Sequence, residues 1–328
     1  MKTLPGRLVA VELFCPICHA AISAGRKISR AKFPKAAWSG QLICPALPGS
    51  TSDTEFMTNV SLIPESEGHA ACYAFPYNTY PTTLAKLFHE HGYVTSAFHN
   101  NYGEYYNRNV IFKTFGYDEF IDAIGVGKPS EVADGELLDT MKWIFSEADY
   151  PYMAYWITYS GHQPYTLDSV GVSEENVARI REKYPDLSDN YVAYLAKQMD
   201  LDQGLERMIE LLRWRGKLDD IVILFFGDHI VKGLGIDAEE CTMYPQMQLA
   251  FDEKYIYTDL YIYNSATEGF TYDKIGTAID LLPSNRELLS RVYDAENSTY
   301  SHLRQQENEF TVGLKWNKTE RFPVEIGR

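Results

Sequence analysis

The stretch Ile221-Val-Ile-Leu-Phe-Phe-Gly-Asp-His229 joins six apolar residues to a glycine and a polar pair. A short run of aliphatic, β-branched and aromatic residues is typical of a strand that is buried on both faces. Gly227 permits a tight exit, so Asp228 and His229 are predicted to lie at the carboxyl end of that strand. A carboxylate next to an imidazole can bind Zn²⁺ or Mn²⁺, but a helix-capping aspartate followed by a surface histidine gives the same pattern.

Similar apolar runs alternate with amphipathic stretches along the chain. This alternation predicts an α/β fold, a doubly wound and mostly parallel sheet with helices on both faces. In such sheets the ligand site lies at the carboxyl ends of the strands. The predicted strands are Leu8–Val11, Tyr93–Phe98, Tyr152–Thr158, Ile221–Phe226 and Leu260–Tyr263. The predicted helices are Tyr80–His91, Asp134–Ala148, Asp189 to about Arg215, and Thr271–Leu282.

Composition and charge narrow the class of protein. The 328 residues are 45% hydrophobic and 23% charged, which is typical of a globular chain with a sizeable core. A formal net charge of −15 argues against nucleic acid as a partner. The sequence contains no apolar run of about 18 residues and no secretory signal pattern. We therefore expect either a cytoplasmic protein or the soluble part of a longer one.

The cysteines, at positions 15, 18, 44, 72 and 241, are too few and too scattered for a disulfide framework. Cys15-Pro-Ile-Cys18-His19 fits the attachment pattern of a c-type haem. The sequence singles out no second haem ligand, so two ordinary thiols beside a strand are the simpler interpretation.

Small residues in Pro48-Gly-Ser-Thr-Ser-Asp-Thr-Glu-Phe56 predict a tight turn before a helix. Ser52 or Asp53 can cap a helix that begins near Thr54. Thr51 then faces a helix N-terminus, where an anion is favoured, and it can act as a nucleophile if a metal lowers its pKa. A simple capping turn explains the same residues.

Two further clusters follow predicted strands. His99, Asn101, Tyr106 and Arg108 come after Tyr93–Phe98, and their side chains can hold phosphate or hydroxyl oxygens. His162 comes after the strand at Tyr152–Thr158 and can transfer a proton to a leaving group. A surface loop and a solvated histidine are the simpler alternatives.

The order of these clusters resembles the lipoteichoic acid synthase-type branch of the sulfatase/alkaline phosphatase superfamily. The motifs that carry the resemblance are Gly49-Ser-Thr-Ser-Asp-Thr-Glu-Phe56, Tyr80-Pro-Thr-Thr-Leu84, Gly92-Tyr93, Asn107-Arg108, Phe115-Gly-Tyr-Asp118, Thr158 to Tyr165, Gly227-Asp-His229 and Asp273 to Pro283. The resemblance implies a catalytic domain at 36–283, an atypical N-terminal segment at 1–35 with a possible first strand, and an atypical tail at 284–328.

The resemblance also implies a role for each candidate residue. Thr51 would be the nucleophile, and His162 would assist the leaving or accepting hydroxyl. A divalent cation, by preference Mn²⁺ with Mg²⁺ or Zn²⁺ as alternatives, would be bound by Thr51, Asp228, His229 and Glu12. The substrate would contact the remaining candidates, which are His99, Asn101, Tyr106 and Arg108.

The implied activity is a transfer or hydrolysis of phosphoglycerol on glycerophospholipid head groups. Such a domain would work at a membrane surface, on the extracellular face if the chain is part of a longer anchored protein. Two alternatives stay open. A sulfatase would need a formylglycine precursor, and Cys44-Pro-Ala-Leu-Pro48 lacks the required proline and arginine positions. The second alternative is a domain that binds head groups or glycans without turnover.

Overall fold

The computed structural model describes residues 7–13, 37–43, 50–64, 70–128, 130–229, 231–235, 257–263 and 271–281. Eight strands within these ranges form one sheet in the order β4-β3-β5-β1-β6-β7-β2-β8. The strands are β1 (Arg7–Leu13), β2 (Ala37–Ile43), β3 (Val94–His99), β4 (Glu119–Ile121), β5 (Tyr152–Ile157), β6 (Ile221–Gly227), β7 (Tyr257–Tyr263) and β8 (Thr271–Thr277).

Five of the seven strand pairings in this sheet are parallel, and the two antiparallel ones both involve β7. The prediction of a mostly parallel sheet is therefore confirmed. Strand β1 lies between β5 and β6 and is parallel to both. Residues 7–13, which belong to the predicted N-terminal segment, thus supply a central strand to the same sheet as the predicted catalytic domain.

Helices cover both faces of the sheet, as predicted for a doubly wound fold. The helices are α1 (Thr51–Val60), α2 (Ala71–Ala74), α3 (Leu84–His89), α4 (Arg108–Phe115), α5 (Asp134–Ser146), α6 (Glu174–Lys183) and α7 (Asp189–Trp214). In β5, Trp156 packs in the core that includes α5 and α7, while Tyr155 packs in the core that includes α1, α3 and α4. None of the helices in the described part of the chain has the length and apolar character needed to cross a bilayer.

The predicted helix Thr271–Leu282 is wrong over most of its length. Residues Thr271–Thr277 form β8, which pairs in parallel with β2. The segment contains β-branched residues and Gly276, which favour a strand or weaken a helix. Helical geometry starts only at Ala278. Thr277 precedes this turn, and its N–H donates to Oδ2 of Asp280 at 2.8 Å.

The predicted helix Tyr80–His91 is shorter in the structure. Helix α3 begins at Leu84 because Thr83 caps it, with its Oγ1 accepting the N–H of Lys86 at 3.2 Å. The chain turns after the helix at Gly92, whose φ of +79° suits glycine. Strands β2 and β4 were not predicted, since neither contains a continuous apolar run.

Four adjacent parallel strands, in the order β3-β5-β1-β6, end at the same edge of the sheet. His99 is the last residue of β3, and Asp228 follows β6 directly. His162 lies in the loop after β5. The topology therefore brings three sequence-distant candidate residues to one edge.

Candidate active site

Thr51, Asp228 and His229 lie in direct contact, although 177 residues separate the first two. The Oγ1 hydroxyl of Thr51 donates a 2.6 Å hydrogen bond to Oδ2 of Asp228 and lies 3.4 Å from Nε2 of His229. The same Oδ2 atom lies 3.1 Å from Nε2 of His229. Thr51 and Asp228 are buried, and His229 is partly exposed. The structure thus brings together three residues that the sequence analysis assigned to one site.

Helix α1 begins at Thr51 itself, earlier than the predicted start near Thr54. Ser50 precedes the first turn, and its N–H and Oγ both donate to Oδ2 of Asp53, at 3.2 and 2.8 Å. Asp53 therefore closes the turn from inside the helix, so the predicted role of Asp53 as an N-cap residue is wrong. Because the N-terminal end of a helix favours negative charge, it would stabilise an anion held next to Thr51.

The donor atoms of this cluster fit a divalent cation. Asp228 offers a carboxylate oxygen, His229 an imidazole nitrogen and Thr51 a hydroxyl oxygen, all within 3.4 Å of one another. Such mixed oxygen and nitrogen ligands suit Mn²⁺ and Zn²⁺. The backbone of Glu12, the other expected ligand, is in register with Phe226, close to the end of β6. The side chain of Glu12 is outside the described atoms, and among the described side chains no group of three or more His, Cys, Asp and Glu is placed to hold a metal.

His99 is buried and its ring orientation is fixed by the backbone. Nδ1 lies 2.8 Å from the carbonyl oxygen of Ile157. Because a carbonyl can only accept, Nδ1 carries the proton, and Nε2 is the acceptor nitrogen of the neutral ring. Burial lowers the pKa of His99 well below its usual value, and the nearby charge of Arg108 lowers it further. His99 is therefore suited to accept a hydrogen bond from a hydroxyl group.

His162 has the same tautomer, because its Nδ1 lies 2.6 Å from the carbonyl oxygen of Gln163. The ring stacks on Tyr159, with the centroids 5.6 Å apart and the planes inclined by 12°. Burial lowers the pKa of His162, while the charge of Asp228 raises it and that of His229 lowers it. The lowered pKa favours the neutral ring, which lies within electrostatic range of two members of the Thr51 cluster (Thr51, Asp228 and His229).

Arg108, a candidate phosphate ligand, is fully buried and forms an ion pair with Glu55. Nε of Arg108 donates to both carboxylate oxygens of Glu55, at 3.0 and 3.1 Å, and Nη2 donates to Oε1 at 2.5 Å. Glu55 was not among the predicted site residues. Its position four residues after Thr51 was a usable signal, since that spacing puts both side chains on one face of a helix. A substrate anion would thus meet an arginine whose Nε and Nη2 are already engaged.

Asn101 and Tyr106 lie in the loop that joins β3 to α4. Oδ1 of Asn101 accepts the N–H of Tyr102 at 2.7 Å, so this side chain stabilises the turn. Tyr106 has a left-handed backbone with φ of +59°, and its N–H donates to Oη of Tyr73 at 2.9 Å. Its ring lies 5.0 Å from the guanidinium of Arg108. The loop therefore holds an aromatic ring beside the buried ion pair.

Of the cysteines, Cys72 is the one that falls within the described residues, and it is buried. Burial raises the pKa of its thiol, and its Sγ lies 3.7 Å from the carbonyl oxygen of Ser52. Cys15 and Cys18 of the haem-attachment pattern and Cys44 of the sulfatase alternative lie outside the described residues.

Comparisons with known proteins show which family the chain belongs to. The family model described as Sulfatase matches residues 40–282. The chain is 31% identical over 188 residues to the lipoteichoic acid synthase of Staphylococcus saprophyticus, and 32% identical over 190 residues to lipoteichoic acid synthase 1 of Bacillus subtilis. Each match covers 55% of this chain and 28% of the relative. The matched part is therefore less than a third of the length of these relatives.

Solved structures share the fold. The lipoteichoic acid synthase LtaP from Listeria monocytogenes has a TM-score of 0.69 at 20% identity, over 88% of this chain and 72% of that one. The phosphoglycerol transferase GacH from Streptococcus pyogenes, solved with sn-glycerol-1-phosphate, has a TM-score of 0.59 at 17% identity, over 90% of this chain and 80% of that one. These likenesses confirm the predicted alkaline phosphatase/sulfatase-like α/β fold.

Proposed function

The chain belongs to the sulfatase family, and from this membership we propose that it is a metal-dependent phosphoglycerol transferase acting through Thr51. Its donor would be the glycerophosphate head group of an anionic phospholipid. One observation carries the proposal: a hydroxyl at the first position of a helix contacts both a buried carboxylate and a histidine. The lipid donor implies work at a membrane surface, on the extracellular face if the chain belongs to a longer anchored protein.

The first step is an attack of Thr51 Oγ1 on the phosphorus of the head group. The hydroxyl already directs its proton at Oδ2 of Asp228, 2.6 Å away. The new bond joins Oγ1 to phosphorus, and the bond between phosphorus and the diacylglycerol oxygen breaks. The proton that Thr51 gives up is replaced on the leaving side, where the diacylglycerol oxygen takes up one proton from solvent. Diacylglycerol therefore leaves as the neutral alcohol, and the phosphoglycerol group stays on Thr51. The N-terminal end of α1 favours the negative charge of the transferred group.

The second step passes this group to an acceptor alcohol or to water. His162 is suited to take the acceptor's proton, because Nε2 carries none in the observed tautomer and the pKa of the ring is lowered. The acceptor oxygen then bonds to phosphorus, and Thr51 Oγ1 leaves and regains a hydroxyl proton, equivalent to the one that His162 took from the acceptor. His99 can accept a hydrogen bond from a glycerol hydroxyl for the same reason, whereas Arg108 supplies positive charge near the phosphate.

Asp228, His229, Thr51 and, by its place at the end of β1, Glu12 would hold the cation. A bound divalent cation would lower the pKa of the threonine hydroxyl and offset charge on the phosphate oxygens. Mn²⁺ is the ion we propose for this mixed donor set, with Mg²⁺ and Zn²⁺ as alternatives.

We expect Mn²⁺ to stabilise the folded protein. At about 100 times the dissociation constant, the free energy of unfolding should rise by about 2.7 kcal/mol, and a chelator should reverse the gain. Asp228→Ala should abolish this gain, because it removes one of the contacting ligands. Asp139→Asn, at an exposed carboxylate paired with Arg207, is the matched control and should keep it. The measurement is urea unfolding with and without metal. An undiminished gain in Asp228→Ala would contradict the assignment of the ligands.

The donor is tested with phosphatidylglycerol vesicles and Mn²⁺. We expect release of diacylglycerol and, by mass spectrometry of the stopped reaction, a glycerophosphate group on Thr51. An arylsulfate ester serves as the competing substrate. Faster turnover of the arylsulfate would favour a sulfatase, and no turnover of either ester, together with binding to the vesicles, would favour a domain that binds head groups without chemistry.

A further inference from the structure

The loop that carries His162 is held by a buried carboxylate that does not belong to the Thr51 cluster. Asp134, at the start of α5, is fully buried. Its Oδ1 accepts the N–H of Tyr159 at 2.8 Å, and its Oδ2 accepts the N–H of Ser160 at 3.1 Å. Two consecutive peptide groups after β5 are therefore fixed by one side chain. Burial raises the pKa of Asp134 to about 7, with a further contribution from the charge of Asp200.

Ser160 links this carboxylate to a second one on α7. Its Oγ accepts the N–H of Asp134 at 2.8 Å and donates to Oδ2 of Asp200 at 2.8 Å. The same oxygen of Asp200 accepts the N–H of Gly135 at 3.2 Å. Gly171, with φ of +82°, packs so closely that a Cβ there would lie 2.8 Å from Oγ of Ser160. The serine is thus enclosed on several sides and has little freedom to move.

Lys197 makes the most direct connection to His162. Its Nζ donates to the carbonyl oxygen of His162 at 2.8 Å and lies 5.9 Å from the centroid of the Tyr165 ring. The side chain is buried, and burial lowers the pKa of the amine to about 8, against the attraction of Asp134 and Asp200. A buried ammonium is costly, and an apolar side chain would fill the same space at lower cost. The hydrogen bond from the amine to the carbonyl oxygen of His162 is one contact that offsets this cost.

We propose that Asp134, Asp200 and Lys197 are positioning residues that fix the loop at 159–162, and with it the imidazole of His162 beside Thr51. Asp134 and Lys197 form hydrogen bonds with the backbone of that loop, and Asp200 is joined to it through the side chain of Ser160. The inference rests on the proposed function, in which His162 takes a proton from the acceptor. A group that transfers a proton must be held in position to within a fraction of an ångström. Loss of the network should therefore slow the chemical step.

Lys197→Met tests the proposal, since it keeps the length of the side chain and removes the donor to His162. With Mn²⁺ and phosphatidylglycerol, we expect kcat to fall by about 10- to 100-fold while KM stays within about twofold. Ser160→Ala removes the hydroxyl that joins the N–H of Asp134 to Asp200, and it should lower kcat in the same direction. It also serves as the second variant if Lys197→Met does not fold. Asp139→Asn, on the same α5–α7 contact but at its exposed side, should leave kcat unchanged.

A readout that needs no turnover is the ¹⁵N spectrum of His162 in the full chain without added metal. Wild-type protein should show a protonated Nδ1 and an unprotonated Nε2, as the contact with Gln163 requires. Lys197→Met and Ser160→Ala should both show averaged shifts, because a freed ring samples both tautomers. Wild-type shifts and wild-type kcat in a folded variant would overturn the proposal, as would a loss of kcat with unchanged shifts. A wild-type chain without phosphoglycerol transfer would refute the proposed function alone, since the spectra would still decide the role of the network.

Discussion

Replacing Thr51 with alanine is expected to reduce the release of diacylglycerol from phosphatidylglycerol by at least about 10³-fold, because the reaction would lose its nucleophile. No glycerophosphate should then be found on the protein. Thr51→Ser should retain turnover within about 10-fold of the wild type, since it keeps the hydroxyl that contacts Asp228. The measurement is the initial rate of diacylglycerol release with Mn²⁺, together with mass spectrometry of the stopped reaction.

The matched control for this change lies on the same helix. Thr58 is buried in α1, and its Oγ1 has no hydrogen-bond partner among the residues that the structure describes, so Thr58→Ala removes the same atoms away from the site. It should leave the rate unchanged. A rate in Thr51→Ala that equals the wild type would exclude Thr51 as the nucleophile. A loss of equal size in Thr58→Ala would attribute the effect to the helix instead.

The sequence alone could predict where the candidate site lies because the geometry of a parallel sheet is simple. Continuous apolar runs such as Ile221–Phe226 indicate central strands, and neighbouring parallel strands end at one edge. Asp228, His99 and His162 each follow such a run, so their convergence could be expected before any contact was known. The fold class followed from the same alternation of strands and helices.

The other half of the sheet was harder to predict because its strands carry no such signal. Ala37–Ile43 mixes Ser39, Gly40 and Gln41 with apolar residues, so nothing marks it as a strand. Thr271–Thr277 was predicted as part of a helix because its pairing with β2 could not be seen in the sequence. That pairing makes the segment a strand. Strand formation there depends on contacts with distant residues, which local propensity does not encode.

Long-range polar partners were likewise hidden from the sequence. Arg108 was predicted to contact the phosphate, yet its ion-pair partner Glu55, 53 residues earlier, was not predicted. Asp134 was read only as the start of a helix, although it holds two peptide groups of the loop after β5. Hydrophobic periodicity indicates which face of a helix or strand is buried. It does not indicate which charged side chains of different elements form pairs.

The pair of Glu55 and Arg108 leads to the largest stability effect that we expect. Both side chains are 0% exposed, and three contacts at 2.5 to 3.1 Å join them. Arg108→Met would leave the carboxylate of Glu55 buried without its partner. Removal of one member of a buried ion pair costs about 3–5 kcal/mol, whereas apolar replacement of both is often neutral. We therefore expect Arg108→Met to lower the free energy of unfolding by about 3–5 kcal/mol, as measured by urea denaturation.

The double variant Glu55→Leu/Arg108→Met distinguishes the effect of the two charges from the effect of the volume that the two side chains fill. It should recover much of the stability lost in Arg108→Met, since no uncompensated charge remains in the core. Lys128→Ala, which breaks an exposed ion pair with Glu136, is the control and should cost less than about 1 kcal/mol. The double variant should fold. Glu55 follows Thr51 by one helical turn, which puts its partner Arg108 near the phosphate. If Arg108 supplies positive charge there, the double variant should lose turnover. A stable and fully active double variant would limit Arg108 to a structural role. The negative charge of the phosphate would then be stabilised by the N-terminal end of α1 and the cation alone.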